Sequence, residues 1–304
     1  MSGPSGEQLE IGQSGARAIV TTVGAGLRAY EVDGVLYTET FGEDEEPPKG
    51  AGAVLVPWPN RVAGARWVLD GQPQDLEVTE PARGNAIHGL VRHEKWTVTE
   101  HSRSRVTLEV TVDAQAGWPF PFRTGVSYEL GLRGLNVTHT VRNLGDAVMP
   151  FGVGAHPYVR PGALQMEDCE LKLAATTTLE LDPVRMVPTG RLTEVRGTDL
   201  DFRRGRLICD LPALDHAFGG CKPRGDGLIR HGISSLRGGV EVWADRSFRW
   251  VQVYTPHDFP GARGGLAVAI EPMTCPPDAL NSGTDLIHLE PGKSWAGRWG
   301  IMPL

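Results

Sequence analysis

Alternation of apolar and polar residues recurs along this chain, and it limits the fold more than any other feature. In residues 105–113, every second side chain from Val106 to Val112 is apolar, and the side chains between them are Thr or Glu. Successive side chains of a β-strand point to opposite faces, so this pattern is typical of a strand with one buried face. Residues 135–141 and 239–244 repeat the pattern.

Turn-forming residues separate these runs. The pairs Asp33-Gly34 and Asp70-Gly71 lie between alternating segments, and they predict hairpin turns because glycine accepts the positive φ of tight primed turns. The chain contains 39 Gly and 23 Pro, and no stretch of a dozen residues has a helical stripe. Residues 199–202 are the best candidate for a single helical turn. The sequence therefore predicts an all-β protein of packed, mostly antiparallel sheets.

The chain has no repeat of fixed period and no linker-like change in composition. We therefore expect residues 1–304 to form a single domain, in which residues 1–15 are a flexible or edge segment. Either a monomer or a homodimer is compatible with the sequence.

Charge and composition exclude several classes of partner. The net charge of −7 argues against nucleic acid or an anionic membrane, because neutralising phosphates requires a basic face. No secretory signal follows Met1, and no segment approaches the roughly 20 apolar residues that span a bilayer. The 4 cysteines are far apart and lack metal-ligand spacing, which predicts reduced, mostly structural thiols. We expect a cytoplasmic protein.

Four short motifs carry the side chains best suited to chemistry. They are Pro59-Asn60-Arg61-Val62, Asn85-Ala86-Ile87-His88-Gly89, Gly154-Ala155-His156-Pro157-Tyr158 and Ala269-Ile270-Glu271-Pro272. Each sets a hydrogen-bonding or titrating side chain beside Gly or Pro, where a strand gives way to a turn. Two histidines, an arginine and a glutamate held in this way can move protons and bind hydroxyl groups, which indicates a small polar substrate.

Residues 248–254 contain an amide on an aromatic face. By alternation, Gln252 shares its face with Phe248, Trp250 and Tyr254. Aromatic surface with a few polar groups is a common way to hold a small ligand. An edge strand whose Gln252 side chain points to water explains the pattern equally well.

Together with Leu214-Asp215-His216-Ala217-Phe218, the four motifs resemble the aldose 1-epimerase (galactose mutarotase) family, and the resemblance runs from about Ala16 to the C-terminus. It implies a β-supersandwich fold, a shallow cleft and a small-molecule sugar as substrate. The implied reaction interconverts the α and β anomers of an aldose by ring opening. A base takes the proton of the anomeric hydroxyl while an acid protonates the ring oxygen. This chemistry requires no metal or other cofactor.

The resemblance also implies roles for individual residues. Glu271 matches the general base, His156 matches the general acid at the ring oxygen, and His88 matches a group that helps to polarise that oxygen. The residues implied to bind the sugar are Arg61 and Asp215, with secondary contacts from Asn60, Tyr158 and Gln252. Many family members have a histidine two positions before His88, where this chain has Ala86, and this departure leaves the preferred sugar open.

Local sequence adds expectations about these side chains. Glu271 follows the apolar run 266–270, so its carboxyl should be paired or have a raised pKa. Asp215 is the expected ion-pair partner of Arg61. The reaction needs Glu271 deprotonated and His156 protonated, which predicts a bell-shaped dependence of kcat/KM on pH. We expect these two side chains to face each other across a gap about one pyranose ring wide.

The remaining histidines are expected to be surface or structural residues. They are His93, His101, His139, His216, His231, His257 and His288. His139 alternates with the apolar residues Val137 and Val141, which favours a place in the core.

Three alternatives to a neutral-sugar epimerase stay open. An epimerase for a phosphorylated or sulfonated hexose would need an extra cation in the pocket, for which Arg83 and Arg92 are candidates. A carbohydrate-binding protein without turnover would keep the cleft alone. A zinc site built from His88, His156 and Glu271 is the weakest alternative, because no compact ligand motif supports it.

Overall fold

The computed structural model describes residues 3–304, which consist mainly of short β-strands. The first strands are β1 (Gln8–Gln13), β2 (Ala16–Thr21), β3 (Leu27–Val32), β4 (Val35–Leu36), β5 (Val54–Leu55), β6 (Arg61–Val62), β7 (Arg66–Leu69), β8 (Gln72–Asp75), β9 (Ala86–Ile87), β10 (Thr97–His101), β11 (Arg105–Val112), β12 (Phe122–Gly131) and β13 (Gly134–Asn143). The later strands are β14 (Met149–Phe151), β15 (Gly154–Ala155), β16 (Tyr158–Val159), β17 (Glu170–Lys172), β18 (Thr177–Leu181), β19 (Pro188–Glu194), β20 (Arg206–Leu207), β21 (Asp215–Gly219), β22 (Ile229–Ser235), β23 (Gly238–Ala244), β24 (Trp250–Tyr254), β25 (Val268–Met273), β26 (Ile287–Leu289) and β27 (Ser294–Pro303). The helical segments are α1 (Ala279–Ser282) and the 3₁₀ turns Pro48–Gly50, Ala63–Ala65, Met166–Asp168, Ile208–Asp210 and Arg263–Gly265.

The largest sheet has nine strands in the order β10-β11-β12-β13-β27-β23-β22-β17-β20. Its neighbouring strands pair antiparallel, and the predicted alternation is visible in its central members. Val106 and Leu108 of β11 are fully buried, while Thr107 between them is only half-buried. This inward-facing apolar row is what the two-residue period requires.

An eight-stranded sheet carries several of the polar motifs. Its main path is β19-β18-β21-β24-β25-β15-β5, and β16 pairs with β25 outside that path. Val253 and Ile270 from its central strands belong to the main hydrophobic core. Gln252 and Glu271, one position away on the same strands, therefore point to the opposite face.

A four-stranded sheet, in the order β1-β2-β3-β4, completes the larger layers. Most of the predicted segment 1–15 lies in or beside β1, which is an edge strand; Met1 and Ser2 lie outside the described residues. The predicted hairpin turns at Asp33-Gly34 and Asp70-Gly71 are confirmed. Both residues of each pair have positive φ, and the turns connect β3 to β4 and β7 to β8.

The one α-helix of the described chain lies where the sequence did not predict it. Residues 199–202 form hydrogen-bonded turns without a helix, and α1 follows Asp278 instead. A helix of four residues is too short to show an apolar period, so its sequence carries no helical signal.

The core contains one of the histidines that the sequence assigned to it. His139 is fully buried, and its Nε2 accepts a hydrogen bond of 2.9 Å from the Trp299 indole. Within residues 3–304, no helix is long and apolar enough to cross a membrane. In the same part of the chain the cysteines are free thiols, and all except Cys209 are buried.

Candidate active site

A cavity of about 770 Å³ opens on the face of the eight-stranded sheet that carries Glu271. Seven of the predicted site residues line it: Asn60, Arg61, His88, His156, Asp215, Gln252 and Glu271. These residues come from four separate motifs and two further strands, so only the folded chain brings them together. Tyr158 does not line this cavity.

The register of strands β21, β24 and β25 determines which side chains form the floor of the cavity. Gln252 of β24 lies opposite Glu271 of β25 on one side and Ala217 of β21 on the other. Directly opposite residues of antiparallel strands share a face, so the Gln252 amide is directed into the cavity. Because β24 lies between two strands and Gln252 is 2% exposed, the edge-strand interpretation of this residue is wrong. Gln252 donates a hydrogen bond of 2.6 Å from Nε2 to Asp215 Oδ1.

Glu271 and His156 are in direct contact. Glu271 Oε1 lies 3.4 Å from His156 Nε2, and the two residues are 1% and 4% exposed. The expected gap of one pyranose ring between them is therefore wrong. The reason is the pairing of β16 with β25, which places Tyr158 opposite Ala269. This pairing brings His156, the residue before Pro157, next to Glu271 of β25. Both groups reach the cavity from the same side.

Burial shifts the pKa values of this pair in opposite directions. Desolvation raises the pKa of Glu271 well above its ordinary range; the negative charge of Asp215 adds to the effect and Arg61 opposes it. Desolvation lowers the pKa of His156 from 6.5 to about 4, and the charge of Arg92 contributes. The raised pKa expected for Glu271 thus has burial as its main cause. These opposite shifts favour a proton on the Glu271 carboxyl over one on the His156 imidazole.

His88 is held as a neutral hydrogen-bond donor. The backbone N–H of Asn60 donates to His88 Nδ1 at 3.3 Å, and the backbone N–H of His88 donates to the Asn60 carbonyl at 2.9 Å. Burial lowers the pKa of His88 well below 6.5, so the ring is neutral and its proton is on Nε2. Asn60 and His88 have positive φ, of 56° and 66°, a conformation that residues other than glycine adopt infrequently.

Arg61 is fixed chiefly by a glutamate that the sequence did not indicate. Its Nε and Nη2 donate to the two carboxylate oxygens of Glu80, at 2.9 and 3.0 Å, whereas Asp215 Oδ2 is 3.6 Å from Nη2. Asn85 and Arg83 also donate to Glu80, at 3.0 and 2.9 Å. The predicted pairing of Arg61 with Asp215 exists, but Glu80 is the principal partner. Glu80 lies in a turn-rich loop with no motif of its own, so nothing in the sequence distinguishes it from a solvated acid.

Tyr158, predicted to contact the substrate, instead supports His156. Its ring packs against the imidazole with centroids 5.1 Å apart, and Phe259 packs on the other part of the ring at 4.5 Å. The Tyr158 hydroxyl donates to the backbone carbonyl of Lys49 at 3.2 Å. The cavity-facing role therefore belongs to His156, and Tyr158 is a positioning residue.

Three buried polar atoms in the cavity have no hydrogen-bond partner among the described residues. They are His156 Nδ1, Gln252 Oε1 and Glu271 Oε2. Each unpaired buried group costs about 1–3 kcal/mol, so native proteins seldom retain one without a use. All three atoms belong to side chains that line the cavity.

The cavity also has lining residues that were expected elsewhere. His93 and His216, both assigned to the surface or to structural roles, border it; Arg83 and Arg92, the candidate pocket cations, line it as well. His216 Nδ1 accepts a hydrogen bond of 3.2 Å from the backbone N–H of Asp215, its neighbour on β21, and this bond fixes the orientation of the His216 ring. Among residues 3–304, no three His, Cys, Asp or Glu side chains are grouped as ligands of a metal ion.

The packed antiparallel sheets and this cavity define a β-supersandwich protein of the galactose mutarotase type, as the sequence predicted. The sequence profile described as Aldose 1-epimerase matches residues 7–301, and the chain belongs to the aldose 1-epimerase family.

Individual relatives agree with this assignment. The chain is 33% identical to the uncharacterized protein YihR of Escherichia coli (strain K12) over 290 residues, which cover 95% of this chain and 91% of YihR. It is 27% identical to the galactose mutarotase of Homo sapiens over 268 residues, covering 80% and 76% of the two chains. A solved galactose mutarotase-like protein from Clostridium acetobutylicum matches the fold with a TM-score of 0.84 and 20% identity, over 97% of this chain and 94% of that one.

Proposed function

We propose that this protein is an aldose 1-epimerase that opens and recloses a sugar ring by general acid–base catalysis. The observation that carries the proposal is the buried contact of 3.4 Å between Glu271 and His156 at the cavity wall. The anomeric hydroxyl oxygen and the ring oxygen of an aldose are bonded to the same carbon. Two catalytic groups held together at the cavity wall can therefore each reach one of these two neighbouring oxygens.

With one proton between them, Glu271 and His156 form either a carboxylate with an imidazolium or a neutral carboxyl with a neutral imidazole. Ring opening converts the first form into the second. Glu271, as carboxylate, takes the proton of the anomeric hydroxyl, while His156, as imidazolium, protonates the ring oxygen as its bond to C1 breaks. The aldehyde then faces a neutral Glu271 carboxyl and a neutral His156. After rotation about the C1–C2 bond, the reverse transfers close the ring on the other carbonyl face and restore both groups.

The pKa shifts specify which form of the pair predominates. The proton favours Glu271, so the predominant form complements the open-chain aldehyde, and the form that opens the ring is its minor tautomer. Moving one proton within a contact pair leaves the net charge of the site unchanged. The macroscopic pKa values therefore belong to the pair as a unit.

The remaining lining residues suit the binding of a polyol. The Nε2–H of His88 is free to donate towards the ring oxygen, because Asn60 occupies Nδ1. Arg61 keeps donors available near Asp215, and Gln252 Oε1 is an unpaired acceptor. Hydrogen bonds from fixed groups orient the ring while leaving C1 free to rotate.

The experiment is polarimetry with anomerically pure aldoses. The wild-type protein should accelerate the approach to the equilibrium rotation, and Glu271→Gln and His156→Asn should each lower the enzymatic rate by about 100-fold or more. Glu271→Gln is close to isosteric, and His156→Asn keeps a smaller polar group at the same position without an imidazole that can donate a proton. Wild-type rates in both variants would refute the acid–base assignment. Sugar binding without any acceleration by the wild type would make the protein a carbohydrate-binding protein instead.

A further inference from the structure

Arg92 differs from every other arginine of the described chain. It is partly buried, and its guanidinium has no carboxylate within 4.0 Å among residues 3–304. Each remaining arginine there is either exposed or paired with an acid. Arg92 lines the cavity that contains Glu271 and His156.

The other cations around the cavity are already neutralised. Lys49 pairs with Asp258 at 2.9 Å, and Arg83 pairs with Glu80 at 2.9 Å. Arg61 shares Glu80 and is near Asp215, as described above. The exposed carboxylate of Glu46 also borders the cavity, but it is outside ion-pair distance of Arg92.

An unpaired guanidinium in a partly buried position is unfavourable unless something compensates it. Removing a charge from water without a partner is costly, and arginine cannot escape the cost by losing its proton at neutral pH. Desolvation lowers the pKa of Arg92, but the ordinary pKa of a guanidinium is so high that the group stays charged at neutral pH. Its planar fork of donors matches a carboxylate, phosphate or sulfonate group, each of which offers two or more oxygens.

Arg92 follows His88 by four residues in the chain and lines the same cavity as His88 and His156. Its charge acts on both His88 and His156, the two histidines assigned to the ring oxygen, and lowers the pKa of each. In a pyranose, C5 is bonded to the ring oxygen and carries C6. When C1 is at Glu271 and the ring oxygen is at the two histidines, C6 lies on the histidine side of the ring, where the chain that carries His88 also carries Arg92.

We propose that the natural substrate carries an anionic group at C6 and that Arg92 binds this group. The proposal rests on the proposed aldose 1-epimerase function, since that function orients the ring. The recognised chemistry is a carboxylate, phosphate or sulfonate on the C6 position of a hexose.

The kinetic test compares glucose with glucuronate, glucose 6-phosphate and 6-deoxy-6-sulfoglucose, which also distinguishes the three anions. The wild type should have a kcat/KM at least about 10-fold higher for one of the anionic sugars, since a charge-assisted contact is lost without the anion. Arg92→Gln should reduce this ratio to near one. Arg83→Gln, which removes an exposed and paired arginine of the same cavity, should keep the wild-type ratio. No preference in the wild type, or a preference that survives in Arg92→Gln, overturns the proposal.

A binding test separates failure of this inference from failure of the proposed function. Methyl glycosides cannot open their rings, so titration with methyl glucuronide and methyl glucoside measures recognition without turnover. The same test applies to the methyl glycosides of the phosphate and the sulfonate. Tighter binding of one anionic glycoside by about 10-fold, lost in Arg92→Gln, supports the role of Arg92 even in a protein that accelerates no anomerisation. Equal affinity for every glycoside overturns it even in an active enzyme.

Discussion

Replacing His156 by a residue that does not titrate should make the protein more resistant to acid. In the folded state the pKa of His156 is about 4 because the imidazole is buried, against an ordinary value of 6.5. A group with a depressed folded pKa contributes stability above its unfolded pKa. That contribution is lost as the pH falls, because the unfolded chain binds the proton more readily. The loss starts near pH 6.5 and is complete below about pH 4.

The structure sets the size of this effect. A fall in pKa from 6.5 to about 4 corresponds to about 3 kcal/mol once both states are protonated, at 1.36 kcal/mol for each pH unit. At pH 5 about 2 kcal/mol of it should already be lost. His156 is only 4% exposed, so water does little to reduce the penalty. Neighbouring Glu271 gives little relief in acid, because its raised pKa keeps the carboxyl neutral there.

The assay is urea unfolding of the wild type, His156→Asn and His156→Gln at pH 7.5 and pH 5. Between these two values, the wild type should lose about 2 kcal/mol more free energy of unfolding than either variant. A packing defect in a variant lowers its stability at both pH values and does not alter the comparison. Parallel losses in all three proteins would show that His156 is not held neutral by burial, and the account of the catalytic pair would have to be abandoned.

Two further predictions concern the pH profile and the loop behind His88. The dependence of kcat/KM on pH should be bell-shaped, because activity requires the singly protonated pair. The acid limb should lie near pH 4, and the basic limb should lie above the ordinary range of a glutamate. Polarimetry measures the profile, and a rate that rises steadily from pH 5 to pH 7 would contradict the depressed pKa of His156. Gly89→Ala should lower the free energy of unfolding by more than about 1 kcal/mol, because at a φ of +70° the new methyl group would overlap the Val56 carbonyl. Gly71→Ala is the control, since Gly71 has a φ of +77° and nothing within 4 Å. Equal losses of free energy of unfolding in the two variants would exclude the overlap as the cause.

The strands and turns could be predicted from the sequence because their causes are local. Alternation in residues 105–113 reflects the two faces of one strand, and Asp33-Gly34 can form its turn without help from distant residues. The four motifs also identified five residues that line the cavity, and the family resemblance added Asp215 and Gln252. Polar side chains beside Gly or Pro at strand ends tend to meet at the rim of a sheet, so the sequence alone indicates which of them can form a site.

Contacts between distant residues were decided only by the tertiary structure. The pairing of β16 with β25 puts His156 against Glu271. The two hydrogen bonds from Arg61 to Glu80 join β6 to a loop that carries no motif. The protonation preference of the catalytic pair is likewise a property of burial, because the same two side chains in water would hold their protons the other way round. Residue types set the available chemistry, while strand register and exclusion of water set its geometry and its pKa values.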